Sequence, residues 1–185
     1  MTMRTAWLGV ALLVGGAVGA VGCSDPTPDS PKGAVSIHLV QKSACGVPDL
    51  WADAPGVAGS HPIDGTQISD NLATDGENGA RVTCGVAPGA SGKFNVSGSI
   101  SLGGVNVALS GQMVAQSHQS QQGQHLSVSA SQLDSPRSST DCTLTTLLID
   151  QGKVWGSVTC ASASNESSET CGIDEGYFVF ENCNH

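Results

Sequence analysis

Apolar and polar residues alternate along Phe94–Met113, which reads FNVSGSISLGGVNVALSGQM. At its centre lies Gly103-Gly104, a dipeptide that tolerates the positive φ angles of a two-residue turn. Folding the chain there places every apolar side chain on one face, whereas a register shift of one residue would set apolar against polar side chains. The pattern predicts an antiparallel hairpin with one buried face. The expected cross-strand pairs are Leu102–Val105, Ile100–Val107, Gly98–Leu109, Val96–Gly111 and Phe94–Met113.

A second hairpin is predicted between Cys142 and Cys160. With residues 150–152 as a three-residue loop, a glycine takes the third position, where a left-handed backbone is favoured. In that register Leu148 pairs with Val154, and the two cysteines lie directly opposite one another. The turn chemistry therefore predicts a disulfide between them.

Other alternating stretches predict further strands, and no segment after the N-terminus shows a convincing helical period. Turns rich in Gly, Ser and Asp separate them, and one turn is expected near Gln121–Gly123. This organisation predicts an all-β fold, an antiparallel β-sandwich or small barrel stapled by three disulfides. Because only 4% of the residues are aromatic, the core is expected to consist of Val, Leu, Ile and Ala. The further predicted strands are Val35–Leu39, Arg81–Val86, Leu126–Ala130 and Gly176–Phe180.

The segment from Ser43 to Gly79 is rich in Gly, Pro, Asp and Ala and has no clear periodicity. A short strand at Thr66–Ser69 or a helical turn at Pro48–Ala52 would divide it. Connections of this length are uncommon in compact domains and are often functional when they occur. Trp51 lies in this segment and is a candidate contact for a partner. The alternative is that Trp51 caps a hydrophobic edge beneath a loop.

The N-terminus begins with MTMR, continues through an apolar stretch of small residues, and then reaches Cys23. A basic start followed by a short apolar stretch predicts a secretory signal, too short to span a membrane as a helix. The residues Ala20-Val21-Gly22-Cys23 resemble a bacterial lipobox. The resemblance implies cleavage before Cys23, lipid attachment to this cysteine and, with Ser24 next, export to the outer membrane. The alternative is an ordinary signal peptide with a chance cysteine.

The predicted organisation is a signal peptide over residues 1–22, a lipidated cysteine and disordered tether over 23–33, and one β domain over 34–185. Removal of the signal peptide leaves six Lys and Arg against sixteen Asp and Glu, a formal charge of −10. This charge repels nucleic acid and anionic lipid surfaces. We therefore expect attachment to the membrane through the N-terminal lipid. No nucleic-acid partner and no cofactor are expected, and no protein or ligand partner is indicated.

Six cysteines remain once Cys23 carries lipid, and an even number in an exported protein predicts three disulfides. Besides Cys142–Cys160, the favoured pairs are Cys45–Cys84, which would clamp the long segment at both ends, and Cys171–Cys183. A competing arrangement joins Cys160 to Cys171 and Cys142 to Cys183. The chain contains neither a CxxC nor an HExxH motif, so no ligand spacing indicates a metal site.

Catalytic motifs are sparse. The chain has no GxSxG sequence, and nothing assigns a serine to His38, His61, His118 or His125. Each histidine is therefore expected at the surface or on a strand face, although His118 and His125 could meet across a hairpin turn. We expect no catalytic residues.

A weak calcium candidate lies in the sequence SDNLATDGENG, which supplies oxygen ligands on a glycine-containing turn. The spacing of an EF-hand loop is absent, and Asp-Gly and Asn-Gly are also ordinary turn dipeptides. A solvated acidic loop is the alternative. The candidate ligands are Asp70, Asp75, Glu77 and Asn78.

The sequence thus favours a non-enzymatic, lipid-anchored protein of the cell envelope that serves structure or recognition. A second hypothesis is a carrier of lipid or another small ligand, which requires an apolar cavity between sheets. A hydrolase with a dispersed site is the third hypothesis and requires a convergent Ser/His/Asp or carboxylate cluster in a cleft.

Overall fold

The computed structural model describes residues 29–55, 71–150 and 152–183. They form a 10-stranded antiparallel sheet that curls into a half-barrel. The predicted all-β, antiparallel, disulfide-linked fold is confirmed. The strands are β1 (Lys32–Gln41), β2 (Asp49–Ala54), β3 (Ala73–Thr74), β4 (Arg81–Pro88), β5 (Lys93–Leu102), β6 (Val105–Val114), β7 (Ser120–Ser129), β8 (Arg137–Asp150), β9 (Lys153–Ser164) and β10 (Thr170–Glu181), with one 3-10 turn at Ala90–Gly92.

The strand order is β2-β1-β10-β9-β8-β7-β6-β5-β4, and β3 pairs with β1. Strands β4 to β10 are thus a meander in which each strand pairs with the next. The first strand, β1, then pairs with the last, β10. The curl brings β2 against β5 and β6 across the interior. Alternate residues of each strand face this interior and bury the apolar side chains.

Phenylalanines fill the interior opposite glycines. Phe180 lies against Gly33 and Gly98, and Phe178 lies against Gly156; each ring occupies the space that a Cβ atom would need. Both phenylalanines are fully buried. The core therefore depends on three aromatic-to-backbone contacts as well as on the expected aliphatic residues.

The β5–β6 hairpin has the predicted register along its whole length, from Lys93 opposite Val114 to Leu102 opposite Val105. Gly103 and Gly104 both have positive φ angles, 61° and 83°. The two-residue turn and the alternation of apolar residues therefore fixed this register together.

The β8–β9 hairpin follows the predicted register from Cys142–Cys160 to Thr146–Gly156 and then departs from it. A β-bulge shifts the pairing, so that Leu148 lies opposite Trp155 and Val154 lies opposite Ile149. The predicted Leu148–Val154 pair is wrong. The bulge turns Ile149 towards the core and leaves Leu148 on the outer face, 41% exposed.

The three disulfides are Cys45–Cys171, Cys84–Cys183 and Cys142–Cys160. The third pair is confirmed. The expected pairs Cys45–Cys84 and Cys171–Cys183 are wrong, and so is the competing arrangement. Because β10 pairs with β1, Cys171 at the beginning of β10 lies near Cys45 in the loop after β1. The end of β10 lies against Cys84 of β4 across the curl.

Two local predictions also differ from the structure. Residues 49–54 form strand β2 on the edge of the sheet, so the helical turn expected at Pro48–Ala52 is wrong, and Thr66–Ser69 lies outside the described residues. The turn expected near Gln121–Gly123 is wrong because these residues belong to β7. Gly123 does have a positive φ of 73°, but it serves an irregularity in the pairing of β7 with β8.

Candidate functional site

The aromatic residues divide between the two faces of the sheet. All three phenylalanines of the described residues pack in or against the interior core. Within the same ranges, both tryptophans and the tyrosine lie on the outer face of β2, β9 and β10, where Trp51 opposes His38, Trp155 opposes Val179, and Tyr177 opposes Ser36. Each is half-buried. Tryptophan and tyrosine combine a large apolar ring with a polar atom and are frequent at contact surfaces.

His38 lies at the centre of a cluster on this outer face. Its ring stacks on the indole of Trp51, with centroids 4.4 Å apart and an interplanar angle of 11°. Its Nε2 lies 2.5 Å from Oδ1 of Asp49, and its Nδ1 lies 2.8 Å from Oδ1 of Asp174. The histidine therefore joins strands β2, β1 and β10. We call these four residues the His38 cluster.

A β-bulge in the β1–β10 pairing builds this cluster. Glu175 lies opposite His38 and Ile173 lies opposite Leu39, so Asp174 is an extra residue in β10. The bulge leaves Asp174 exposed and within hydrogen-bonding distance of the imidazole. Bulges commonly redirect side chains in this way at functional positions.

The charges around His38 favour its protonated form. Burial of the ring acts in the opposite direction, but the hydrogen bond to Asp49 and the charges of Asp174 and Asp49 outweigh it and raise the pKa of His38 above its usual 6.5. A neutral imidazole has only one N–H donor, whereas two carboxylates face this ring. Only the protonated ring, the imidazolium, can donate a hydrogen bond to both carboxylates.

Ser36 lies two residues before His38 on the same face. It is buried, and its hydroxyl donates a hydrogen bond of 2.5 Å to Oδ1 of Asp53. Because both nitrogens of His38 face carboxylates, neither is positioned to accept a proton from Ser36. The His38 cluster thus lacks the nucleophile–base contact of a serine hydrolase.

A second polar cluster surrounds Arg137, whose side chain is fully buried at the opposite end of β8 from the bulge. Its guanidinium donates hydrogen bonds of 2.8–3.0 Å to the carbonyls of Ser135 and Cys45 and to the carboxylates of Asp134 and Glu169. The hydrogen bond from Arg137 is the main cause that lowers the pKa of Asp134. Nε of Arg137 has no hydrogen-bond partner among the described residues. The arginine ties three loops together beside the Cys45–Cys171 disulfide.

The described calcium candidates lie in or beside the turn before β4. Oδ1 of Asp75 accepts a hydrogen bond of 2.8 Å from the backbone N–H of Val82, and Glu77 and Asn78 belong to the turn before β4. Asp70 lies outside the described residues. Among residues 29–55, 71–150 and 152–183, no group of three His, Cys, Asp or Glu side chains is arranged to hold a metal ion.

The remaining predicted positions are dispersed. Cys23 and His61 lie outside the described residues. His118 lies in the turn between β6 and β7 with a φ of 61°, whereas His125 lies within β7 opposite Ser110. Trp51, the predicted partner contact, belongs to the His38 cluster. Sequence reasoning missed Asp49 and Asp174, since their approach to His38 depends on the pairing of β1 with β2 and β10.

The surface also carries an open depression of about 750 Å³ beside β8 and β9. Its lining is mainly hydroxyl-bearing, with Ser135, Ser138, Thr140 and Ser164 among its residues. An open depression lined by serine and threonine differs from the enclosed apolar cavity that a lipid carrier requires.

Comparisons with known proteins found no matching family model, no matching curated protein and no matching solved structure. In the described part of the chain, no helix is long and apolar enough to cross a membrane.

Proposed function

We propose that this protein is a non-enzymatic recognition module of the bacterial cell envelope, exported and held to the outer membrane by lipid on Cys23. Its contact surface is the outer face of β2, β1 and β10 around the His38 cluster. The observation that carries this proposal is the position of Trp51, which lies on the outer face stacked on His38 beside the exposed carboxylates of Asp49 and Asp174.

The chemistry of the cluster supports a contact role. Asp49 and Asp174 are 70% and 57% exposed, so their outer oxygens stay available to a partner while their inner oxygens hold His38. Trp51 adds apolar area beside these charges, a combination typical of binding hot spots. The negative charge of the chain favours a partner that presents basic or hydrogen-bond-donating groups.

The interior supports recognition over transport. Phe178 and Phe180 occupy the space over Gly156 and Gly98, so this part of the half-barrel has no room for an acyl chain. The carrier hypothesis requires an apolar cavity of several hundred Å³. The three disulfides are also consistent with an exported protein, because such bonds persist in oxidising compartments.

Intact mass spectrometry of the protein purified from membranes tests the anchor. We expect a chain that begins at Cys23, carries acyl groups on that residue, and gains six hydrogens when its three disulfides are reduced. A chain cleaved elsewhere with an unmodified cysteine would contradict the anchor. A tightly bound small ligand in the native spectrum would favour the carrier.

Photo-crosslinking in cells tests the contact surface. A photoreactive amino acid replaces Trp51, and a matched control carries it in place of Ser97, which is exposed on the outer face of β5. We expect a discrete adduct from position 51 that is absent from position 97 and weakened by D174N. Equal adduct patterns from both positions would contradict recognition by the His38 cluster.

A further inference from the structure

An apolar patch lies on the outer face, separate from the His38 cluster. Ala34 and Val179 are buried there beneath Leu72, Trp155 and Tyr177, which are half-buried. Leu148 lies opposite Trp155. Among the described residues it is the large hydrophobic residue that is exposed. We call these six residues the outer patch.

The outer patch contains a continuous cross-strand row. Ala34 of β1 lies opposite Val179 of β10, Val179 lies opposite Trp155 of β9, and Trp155 lies opposite Leu148 of β8. The bulge in β8 completes the row, because without it Leu148 would face Val154 and point to the core. A local irregularity has therefore placed a large apolar side chain in solvent beside a tryptophan.

The patch lies at the end of the sheet where the chain enters it. Ala34 is two residues after Lys32, the first residue of β1. Only residues 24–31 separate Cys23 from this strand. Eleven steps of a fully extended chain, from Cys23 to Ala34, reach at most about 40 Å, so a bilayer that holds Cys23 lies within that distance of the patch.

Charge is distributed unevenly along the same face. Near the patch, Lys32 and Lys153 are balanced by Glu181 and Asp150, and Lys153 forms an ion pair with Glu181. The His38 cluster lies four residues further along β1 from Ala34, about 13 Å away. Its exposed carboxylates thus lie further from the start of β1 than the patch does.

We propose that the outer patch rests in the headgroup region of the bilayer to which Cys23 is attached, with the His38 cluster about 13 Å further along the same face. This inference rests on the proposed lipid anchor. Tryptophan and tyrosine favour the membrane interface. Trp155 would contribute its apolar ring there, since its Nε1 is buried and has no hydrogen-bond partner among the described residues. Apolar contact adds to the acyl chains in holding the domain, and the balanced charges at this end oppose it little on a zwitterionic surface.

Fluorescence quenching by brominated lipids tests the proposal. The protein purified from membranes with its lipid is reconstituted into phosphatidylcholine vesicles brominated at a shallow acyl position. W51F leaves Trp155 as the emitter of the mature chain, and W155F leaves Trp51 as the matched control. We expect roughly twofold loss of Trp155 emission and little loss for Trp51. The variant L148S/W51F should reduce the quenching of Trp155.

The outcomes separate this inference from the anchor. If Cys23 is acylated but Trp155 is quenched no more than Trp51, the docking of the patch is overturned and the lipid anchor stands. The same result with a doubled particle mass would assign the patch to a second copy instead. An unmodified Cys23 in the mass spectrum would overturn both proposals, because the short tether to the bilayer would no longer exist.

Discussion

The imidazole of His38 stacks on the indole of Trp51 while its two nitrogens contact carboxylates on the neighbouring strands. This arrangement links the edge strand β2 to the bulge in β10. The protonated ring of His38 lies between two carboxylates and over the face of the Trp51 indole. Its charge is therefore attracted to the indole, as in a cation–π contact. The stability of the edge strand β2 therefore depends on the charge of His38.

Stability should fall as pH rises past the titration of His38. Its pKa is raised in the folded protein, so its contribution is fully present below the usual 6.5 and is lost as pH rises through the folded-state pKa. We expect the wild-type advantage in Tm over H38Q to be about 2–4 °C at pH 6, which corresponds to about 1 kcal/mol, and to shrink by pH 9. NMR titration of His38 checks the pKa directly, and a constant Tm difference across this range would contradict the argument.

Introducing a methyl group at Gly98 should destabilise the core. Its Cβ would collide with the ring of Phe180, which is fully buried and has no free space to move into. We expect G98A to lower the free energy of unfolding by about 1–3 kcal/mol, as overpacking does elsewhere. Urea denaturation measures the change. The control S97A alters an exposed position of the same strand and should change stability by less than about 0.5 kcal/mol.

The long-range disulfides should stabilise more than the hairpin disulfide. Cys84 and Cys183 are 99 residues apart, whereas Cys142 and Cys160 are 18 apart. Closing loops of these sizes restricts the unfolded chain by nearly 5 and about 3 kcal/mol respectively. We expect C84A/C183A to lower Tm more than C142A/C160A in parallel melts. Peptide mapping without reduction should also recover Cys45 linked to Cys171.

Replacing Arg137 should be among the most damaging single substitutions. Removal of the guanidinium takes the donor from the buried carbonyl of Cys45 and the ion pair from the half-buried carboxylate of Glu169, which keeps its hydrogen bond from Asn165. We expect R137A to cost about 3–5 kcal/mol. R137K should recover little, because one ammonium cannot reproduce the forked set of contacts. Arg81 is an exposed arginine in β4. If R137A lost no more stability than R81A, the Arg137 cluster would contribute little.

The candidate site was accessible from the sequence only in part. The sequence indicates Trp51 as a possible contact because it lies in a long segment without clear periodicity, and tryptophan can anchor a partner. Asp49 and Asp174 carry no local signal, since they are 11 and 136 residues from His38 and meet it only through the sheet. The bulge that delivers Asp174 also has no distinct sequence pattern.

The sequence by itself determined the all-β class, the register of β5 with β6, and the Cys142–Cys160 pair. These features follow from alternation with a period of two and from turn glycines, both of which act between residues close in the chain. The tertiary structure decided the pairing of β1 with β10, the other two disulfides, the outward turn of Leu148 and the assembly of the His38 cluster. The outward turn of Leu148 depends on a bulge within the β8–β9 hairpin. The other features depend on which distant strands share an edge, and that choice is made by the packing of the whole curled sheet around Phe178 and Phe180.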